Sequence, residues 1–379
     1  MTSALDDITG IIAREIGARP QQVRAAVELL DGGATVPFVA RYRKEATGGL
    51  DDGQLRQLED RLTYLRELGA RRDTILKSIE LQGKLTEELA AKIAGTPTKA
   101  ELEDLYLPYK PKRRTRAQIA REQGLGRLAE TLLADRGKDP ETEAAAYVGE
   151  QVPDARAALE GARDILIEQF AEHAGLVGRL RSYLMPRAVI QARVVAGKEE
   201  AGAKYTDYFA YAERWATIPS HRALALFRAR NEKVVAVELV VDQDDPSPVK
   251  PVEAMIAETF AIDPRRPADA WLMGVVRGAW QAKLAPHLSS DLLAALRERA
   301  EEEAIRVFAR NLKDLLLAAP AGARPTMGLD PGVRTGVKVA VVDATGKLTE
   351  TAVVYPFAPR NDVQGARREL QRLAQAYRV

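Results

Sequence analysis

At residue 326 the hydrophobic pattern changes period, and that switch constrains the fold more than any other feature. Upstream, apolar residues recur every three or four positions. Leu55, Leu58, Leu62, Leu65 and Leu68 form one stripe on a helix that opens after "DD" at 51–52. From 326 onward "TMGLD", "VKVAVVD" and "ETAVVYP" are strand-length, β-branched runs. The last two are joined by "ATGK", whose Gly346 suits a tight hairpin. "DVQGARRELQRLAQAYRV" then restores the helical period, with Val363, Ala366, Leu370, Leu373 and Tyr377 on one face. The pattern predicts a mainly α protein: a multi-helix N-terminal scaffold with a long connecting helix, followed by the start of an α/β domain. Three strands and one helix do not complete such a domain, so the chain is expected to stop inside it.

Local signals place the other elements. Residues 4–16 and 21–30 are short amphipathic helices, the second stopped by "DGG". A break at Gly83 precedes a short helix carrying Leu85, Leu89 and Ile93. Thr98 with Glu101, and Thr115 with Gln118, have capping-box spacing and set helix starts near 99 and 116. Between them "YLPYKPKRRTR" holds Pro108 and Pro111 and is predicted largely non-helical. Helices are expected at about 154–173, 176–184 and 204–215, then a helix N-capped by Ser220, a strand at 233–242, and helices near 252–261 and 268–284. Residues 290–317 read as one helix of about 28 residues, roughly 40 Å long. "APAGARP" at 319–325 has linker composition. The expected division is a helical N-terminal domain over 1–200, a helical central region over 201–322 and an α/β segment over 323–379.

Composition removes several function classes. Lys plus Arg number 56 against 54 Asp plus Glu, a net charge of +2, so a nucleic-acid binder of this kind must concentrate its cations locally. The absence of cysteine excludes disulfides, thiolate zinc sites and cysteine nucleophiles. No apolar run approaches the ~20 residues needed to span a bilayer, and "MTSALDDITG" has no signal-like core. A soluble, cytoplasmic protein is expected.

Four stretches resemble one family: "ATVPFVARYRKEATGGLDD" at 34–52, "LEDLYLPYKPKRRTRAQIAREQGL" at 102–125, "IPSHRALALFRARNE" at 218–232 and "MGLDPGVRTGVKVAVVD" at 327–343. In that order they resemble the bacterial transcription accessory protein Tex family, whose core is similar to that of a eukaryotic elongation factor that also binds histones. The resemblance implies a helical N-terminal region, an RNase-H-like (YqgF-type) domain, helix-hairpin-helix modules and a C-terminal S1 RNA-binding domain. The chain would end in the second of these, as a truncated piece. A nucleic-acid-binding scaffold is implied, with RNA or DNA as partner, RNA polymerase or other transcription machinery as a further partner, no cofactor and no catalysis.

The bottom-up candidates remain open beside it. Asp330 ends a strand where RNase-H-like nucleases hold metal, but two-ion catalysis needs at least two further carboxylates. Those would come from a fourth strand and a last helix beyond residue 379, and the family's domain is usually regarded as lacking a complete set. Asp343 is expected to be a hairpin residue. Gly332 would permit the turn after the first strand, and Gly336 would let the next strand start close to it. An Asp-x-Gly phosphate hairpin of the actin and sugar-kinase type is a second reading of the same residues.

The densest positive charge is Lys110, Lys112, Arg113, Arg114 and Arg116, beside Tyr106 and Tyr109 and just before a helix N-terminus. Phosphate would be drawn by the cations and by the free helix amides. The alternative is a solvated loop paired with acidic neighbours. Arg41, Arg43 and Lys44 offer a second cluster, with Tyr42 expected to pack. The helices at 4–30 are better explained by packing than as a DNA-reading helix-turn-helix, since Asp6, Asp7, Glu15 and Glu28 are among their polar residues. His173, His221 and His287 are far apart with no second ligand at i+3 or i+4, so no metal site is expected. Trp215, Trp271 and Trp280 are expected on amphipathic helices in the core.

Overall fold

A computed structural model describes residues 2–110, 114–263, 265–319, 322–332 and 336–379, with side chains from residue 7 onward. The chain divides into two units, Met1–Glu301 and Glu302–Val379.

In the first unit, helices Thr2–Glu15, Pro20–Asp31 and Val36–Tyr42 close a core with the front half of helix Asp52–Glu80. The leucine stripe faces inward as expected, with Leu55 and Leu58 fully buried and Leu62, Leu65 and Leu68 nearly so. Each such side chain contributes about 1.5–3 kcal/mol on burial. The helix starts at a full capping box: Asp51 accepts from the Gln54 amide, and the Gln54 side chain returns to the Asp51 amide. At Thr98 and Thr115 the hydroxyl half of the anticipated box is formed. Helix Val36–Tyr42 was not anticipated. The back half of Asp52–Glu80 packs with Glu87–Gly95 and Lys99–Tyr106 in a second cluster around Ile75, Ile79, Ile93 and Leu102.

The largest core runs from Ala117 to Ala300 and is centred on helices Ala155–Ala171, Ala174–Arg187 and Pro267–Ala279. A sheet lies against it: β1 (Val189–Val194), β2 (Ala210–Arg214) and β3 (Val235–Val240), antiparallel in the order β2-β1-β3. Only β3 was anticipated. The helix expected over 204–215 is instead a 3-10 segment, Ala203–Tyr208, followed by β2. Burial alternates along β2, so the two-residue period prevails there. Trp215 accordingly follows a strand rather than lying on a helix, although it is buried. Helix Ser220–Asn231 begins one residue earlier than expected: Pro219 holds the N-cap position, and Ser220 makes no cap.

The break expected between 284 and 290 is absent. Helix Pro267–Ala279 passes through a π turn, Trp280–Leu284, into helix Ala285–Leu316. Pro286 explains both the expectation and the outcome. It lacks an N–H and its ring crowds the carbonyl four residues back, and the wider π turn just before it relieves that clash.

In the second unit, β4 (Thr326–Gly332), β5 (Gly336–Val342) and β6 (Leu348–Val354) form the anticipated antiparallel meander, followed by helix Val363–Tyr377. Val337, Val339 and Val341 alternate inward against Val354, Ala366 and Leu373. Gly336 has φ +80°, and a Cβ there would sit 2.7 Å from the Tyr355 ring and 2.8 Å from the Val354 carbonyl oxygen. Its role in close strand approach is therefore steric and conformational. Asp343 is a hairpin residue, accepting from the Thr345 and Lys347 amides and the Thr345 hydroxyl. Those bonds hold its carboxyl below the usual range.

Candidate nucleic-acid interface

Helix Val36–Tyr42 divides its side chains sharply. Val36 and Val39, three apart, enter the core, while Phe38 and Tyr42, four apart, point outward and are 42% and 58% exposed. Their rings are 5.4 Å apart and tilted by 46°. The expectation that Tyr42 packs does not hold, because the buried valines fix the helix rotation and leave Tyr42 on the solvent face. The Arg43 guanidinium lies 5.5 Å from the Phe38 ring centroid, and its Nη1 donates to the Tyr42 carbonyl at 3.2 Å. Arg41, Arg43 and Lys44 are all exposed, and none has a carboxylate partner among the described residues.

The loop after this helix is tightly held. Thr47 is fully buried, and its hydroxyl donates to the Lys44 carbonyl at 3.2 Å. The Gln22 side chain donates to the Gly48 carbonyl at 2.8 Å. Gly48 has φ +61°, a conformation that favours glycine, and a Cβ there would crowd the Gln22 side chain at 3.1 Å. Leu50, 2% exposed, anchors the far end. Glu45 is the exposed acidic residue within this segment.

The run at 110–116 has a different character. Lys110, Arg114 and Arg116 are exposed, whereas Lys112 and Arg113 lie outside the described residues. Arg114 pairs with Glu122 at 2.5 Å across solvent, with 67% and 47% of the two side chains exposed, a contact worth little in stability. Its aromatic neighbours are drawn inward. Tyr106 is 7% exposed with its hydroxyl hydrogen-bonded to Ser78 at 2.9 Å, and Tyr109 packs on the same cluster. The helix behind the run, Arg116–Glu122, has seven residues, and the Thr115 hydroxyl already takes up its Gln118 amide.

Asp330 sits in β4 opposite Lys338, whose Nζ is 4.0 Å away, and its side chain is 79% exposed. The strand continues two residues past it, to Gly332. Among the described residues the one group of three carboxylate or imidazole ligands lies elsewhere, at Asp104, His287 and Asp291. His287 and Asp291 stand at i and i+4, a pairing that the expectation of no second ligand overlooked. A protein cation already fills this group. Arg181 donates to both oxygens of Asp104 at 2.5 and 2.9 Å and to Asp291 at 3.0 Å. His173 is a helix cap, its Nδ1 accepting from the Leu176 amide at 3.0 Å.

Comparison with known proteins places these features in one lineage. The chain matches the Tex-like protein N-terminal domain over residues 6–80, the Tex central region over 135–308 and the Tex protein YqgF-like domain over 324–379. It is 58% identical over 356 residues to Protein YhgF of Escherichia coli K12, covering 93% of this chain and 46% of that protein. It is 55% identical over 358 residues to the transcriptional accessory protein Tex of Neisseria gonorrhoeae, covering 94% and 47%. Human S1 RNA-binding domain-containing protein 1 is 28% identical over 363 residues, covering 92% and 36%. The chain thus spans about half the length of the bacterial relatives it matches. With all three regional models matched in chain order, the chain belongs to the Tex family.

Proposed function

We propose that this chain is a nucleic-acid-binding scaffold of a cytoplasmic transcription accessory factor, acting on RNA or DNA by binding and without turnover. RNA polymerase or another part of the transcription machinery is the proposed protein partner. The observation that carries this reading is the cluster Arg41, Arg43 and Lys44. In a chain with 54 carboxylates and a net charge of +2, these exposed cations have no carboxylate partner among the described residues. Unneutralised local charge on a nearly neutral protein is what a polyanion reads. Lys110, Lys112, Arg113, Arg114 and Arg116 are proposed as a second phosphate-contacting run. The gonococcal relative, named a transcriptional accessory protein, supports the setting.

The alternative, a metal-dependent nuclease using Asp330, lacks support in the carboxylate arrangement, since Asp330 belongs to no group of ligands among the described residues. Incubation with labelled RNA and branched DNA in Mg²⁺ or Mn²⁺ tests the choice. The expected result is retarded but intact nucleic acid, with Asp330→Asn binding as the parent does. Cleavage by the parent that disappears in Asp330→Asn would establish the nuclease instead.

A further inference from the structure

We propose that Phe38 and Tyr42 form a stacking platform for the unpaired bases of a single strand, with Arg41, Arg43 and Lys44 holding its phosphates. The inference deepens the binding reading above and rests on it. An exposed aromatic alone needs no explanation, but several observations here coincide. The two rings share the solvent face of one helix at 5.4 Å, while the valines at 36 and 39 lock that face outward. Three cations without a carboxylate partner among the described residues flank them within a few residues. The loop bearing Lys44 is pinned by Thr47, Gln22 and Leu50, so ordering this backbone adds little to the cost of binding.

The chemistry selects the ligand. Flat π-faces beside guanidinium and ammonium groups suit a polyanion carrying exposed bases, and stacking tolerates any base sequence. A duplex hides its base faces and would meet only the cations. Single-stranded RNA or DNA is therefore the class expected, with little sequence preference. Beside the 110–116 run the described aromatics offer no such open pair: Tyr106 is buried and bonded to Ser78, and Tyr109 is half-buried against the same cluster.

The test compares the parent with Phe38→Ala/Tyr42→Ala by fluorescence anisotropy. Probes are labelled oligouridylate, oligodeoxythymidylate, an abasic strand of equal charge and a blunt duplex. The double variant is expected to lose roughly tenfold or more for both single strands and to keep the parent's affinity for duplex and abasic strand. Phe38→Tyr/Tyr42→Phe should restore binding, since both rings remain. Both positions are solvent-exposed, so an unchanged melting curve accompanies the expected loss. Single-strand affinity within twofold of the parent, or an equal loss on duplex, overturns the platform and leaves the charge-based reading standing. A parent that binds none of the four probes overturns both.

Discussion

Arg181→Ala is expected to destabilise the unit Met1–Glu301 by about 3–5 kcal/mol, the usual result of stranding a buried charge. In a unit of this size that corresponds to a fall of about 5–8 °C in melting temperature. Arg181 is 16% exposed and joins three helices. It binds Asp104 (5% exposed) on Lys99–Tyr106 and Asp291 (36% exposed) on Ala285–Leu316 from its own helix, Ala174–Arg187. Without it, Asp104 is a buried carboxylate whose two cation-assisted hydrogen bonds are gone.

Those hydrogen bonds raise the Arg181 pKa further above its already high ordinary value. Stability from a raised basic group is fully present below the unfolded pKa and is lost as pH rises through the folded one. Deprotonation of Arg181 itself therefore adds no pH dependence in any workable range. Arg181 Nε is buried without a hydrogen-bond partner among the described groups, so the network is not fully satisfied. Asp104→Leu/Arg181→Met is accordingly expected to recover much of the loss, because removing both charges avoids the stranded carboxylate. Thermal and urea unfolding would check both, and a single variant that melts with the parent would mean the network is not holding these helices.

The second large effect is expected at Trp215. This side chain is 6% exposed, and its indole Nε1 donates to the Leu292 carbonyl at 2.8 Å. The Arg299 guanidinium lies 4.8 Å from its ring and donates to the Trp215 carbonyl at 2.8 Å. Trp215 thus joins the end of β2 to the long helix by packing, a hydrogen bond and a cation contact together. Trp215→Ala should cost about 3–5 kcal/mol through lost burial and the cavity left behind. Trp215→Phe should cost roughly 1–2 kcal/mol, since a smaller aromatic ring remains but the N–H does not. Urea midpoints of the three proteins would rank them parent, Phe, Ala. An alanine variant within about 1 kcal/mol of the parent would remove the packing role, given the usual cost of emptying such a site.

Much of the architecture was legible because long elements repeat one period. The Leu55–Leu68 stripe and the alternating valines of β5 each offer several turns or pleats of consistent signal. Short elements do not. Helix Val36–Tyr42 is seven residues long with Pro37 in its first turn, so its apolar "VPFVA" shows no clear period. β1 and β2 are six and five residues long; β3 is no longer than β1 but lies in the continuous β-branched run "KVVAVELVVD", which neither of the others has. Missing that helix is what concealed the platform. Once the segment is helical, Val36 and Val39 versus Phe38 and Tyr42 separate into inner and outer faces at once. The Arg181 network could not be found from spacing, because Asp104, Arg181 and His287 with Asp291 come from helices distant in sequence. Tyr106 stands beside a basic run in sequence, yet helix Lys99–Tyr106 directs its ring inward.

The most direct test of the account measures oligouridylate binding against salt concentration for the parent and for Arg41→Gln/Arg43→Gln/Lys44→Gln. If these cations contact phosphates, the parent binds with affinity that falls steeply as salt rises. The triple variant then binds more weakly, with a log–log slope shallower by about 2, from roughly 0.7 per lost phosphate contact on a single strand. A parent that fails to bind, or a variant with the parent's affinity and slope, would contradict the claim that this chain is a nucleic-acid-binding scaffold working through that surface.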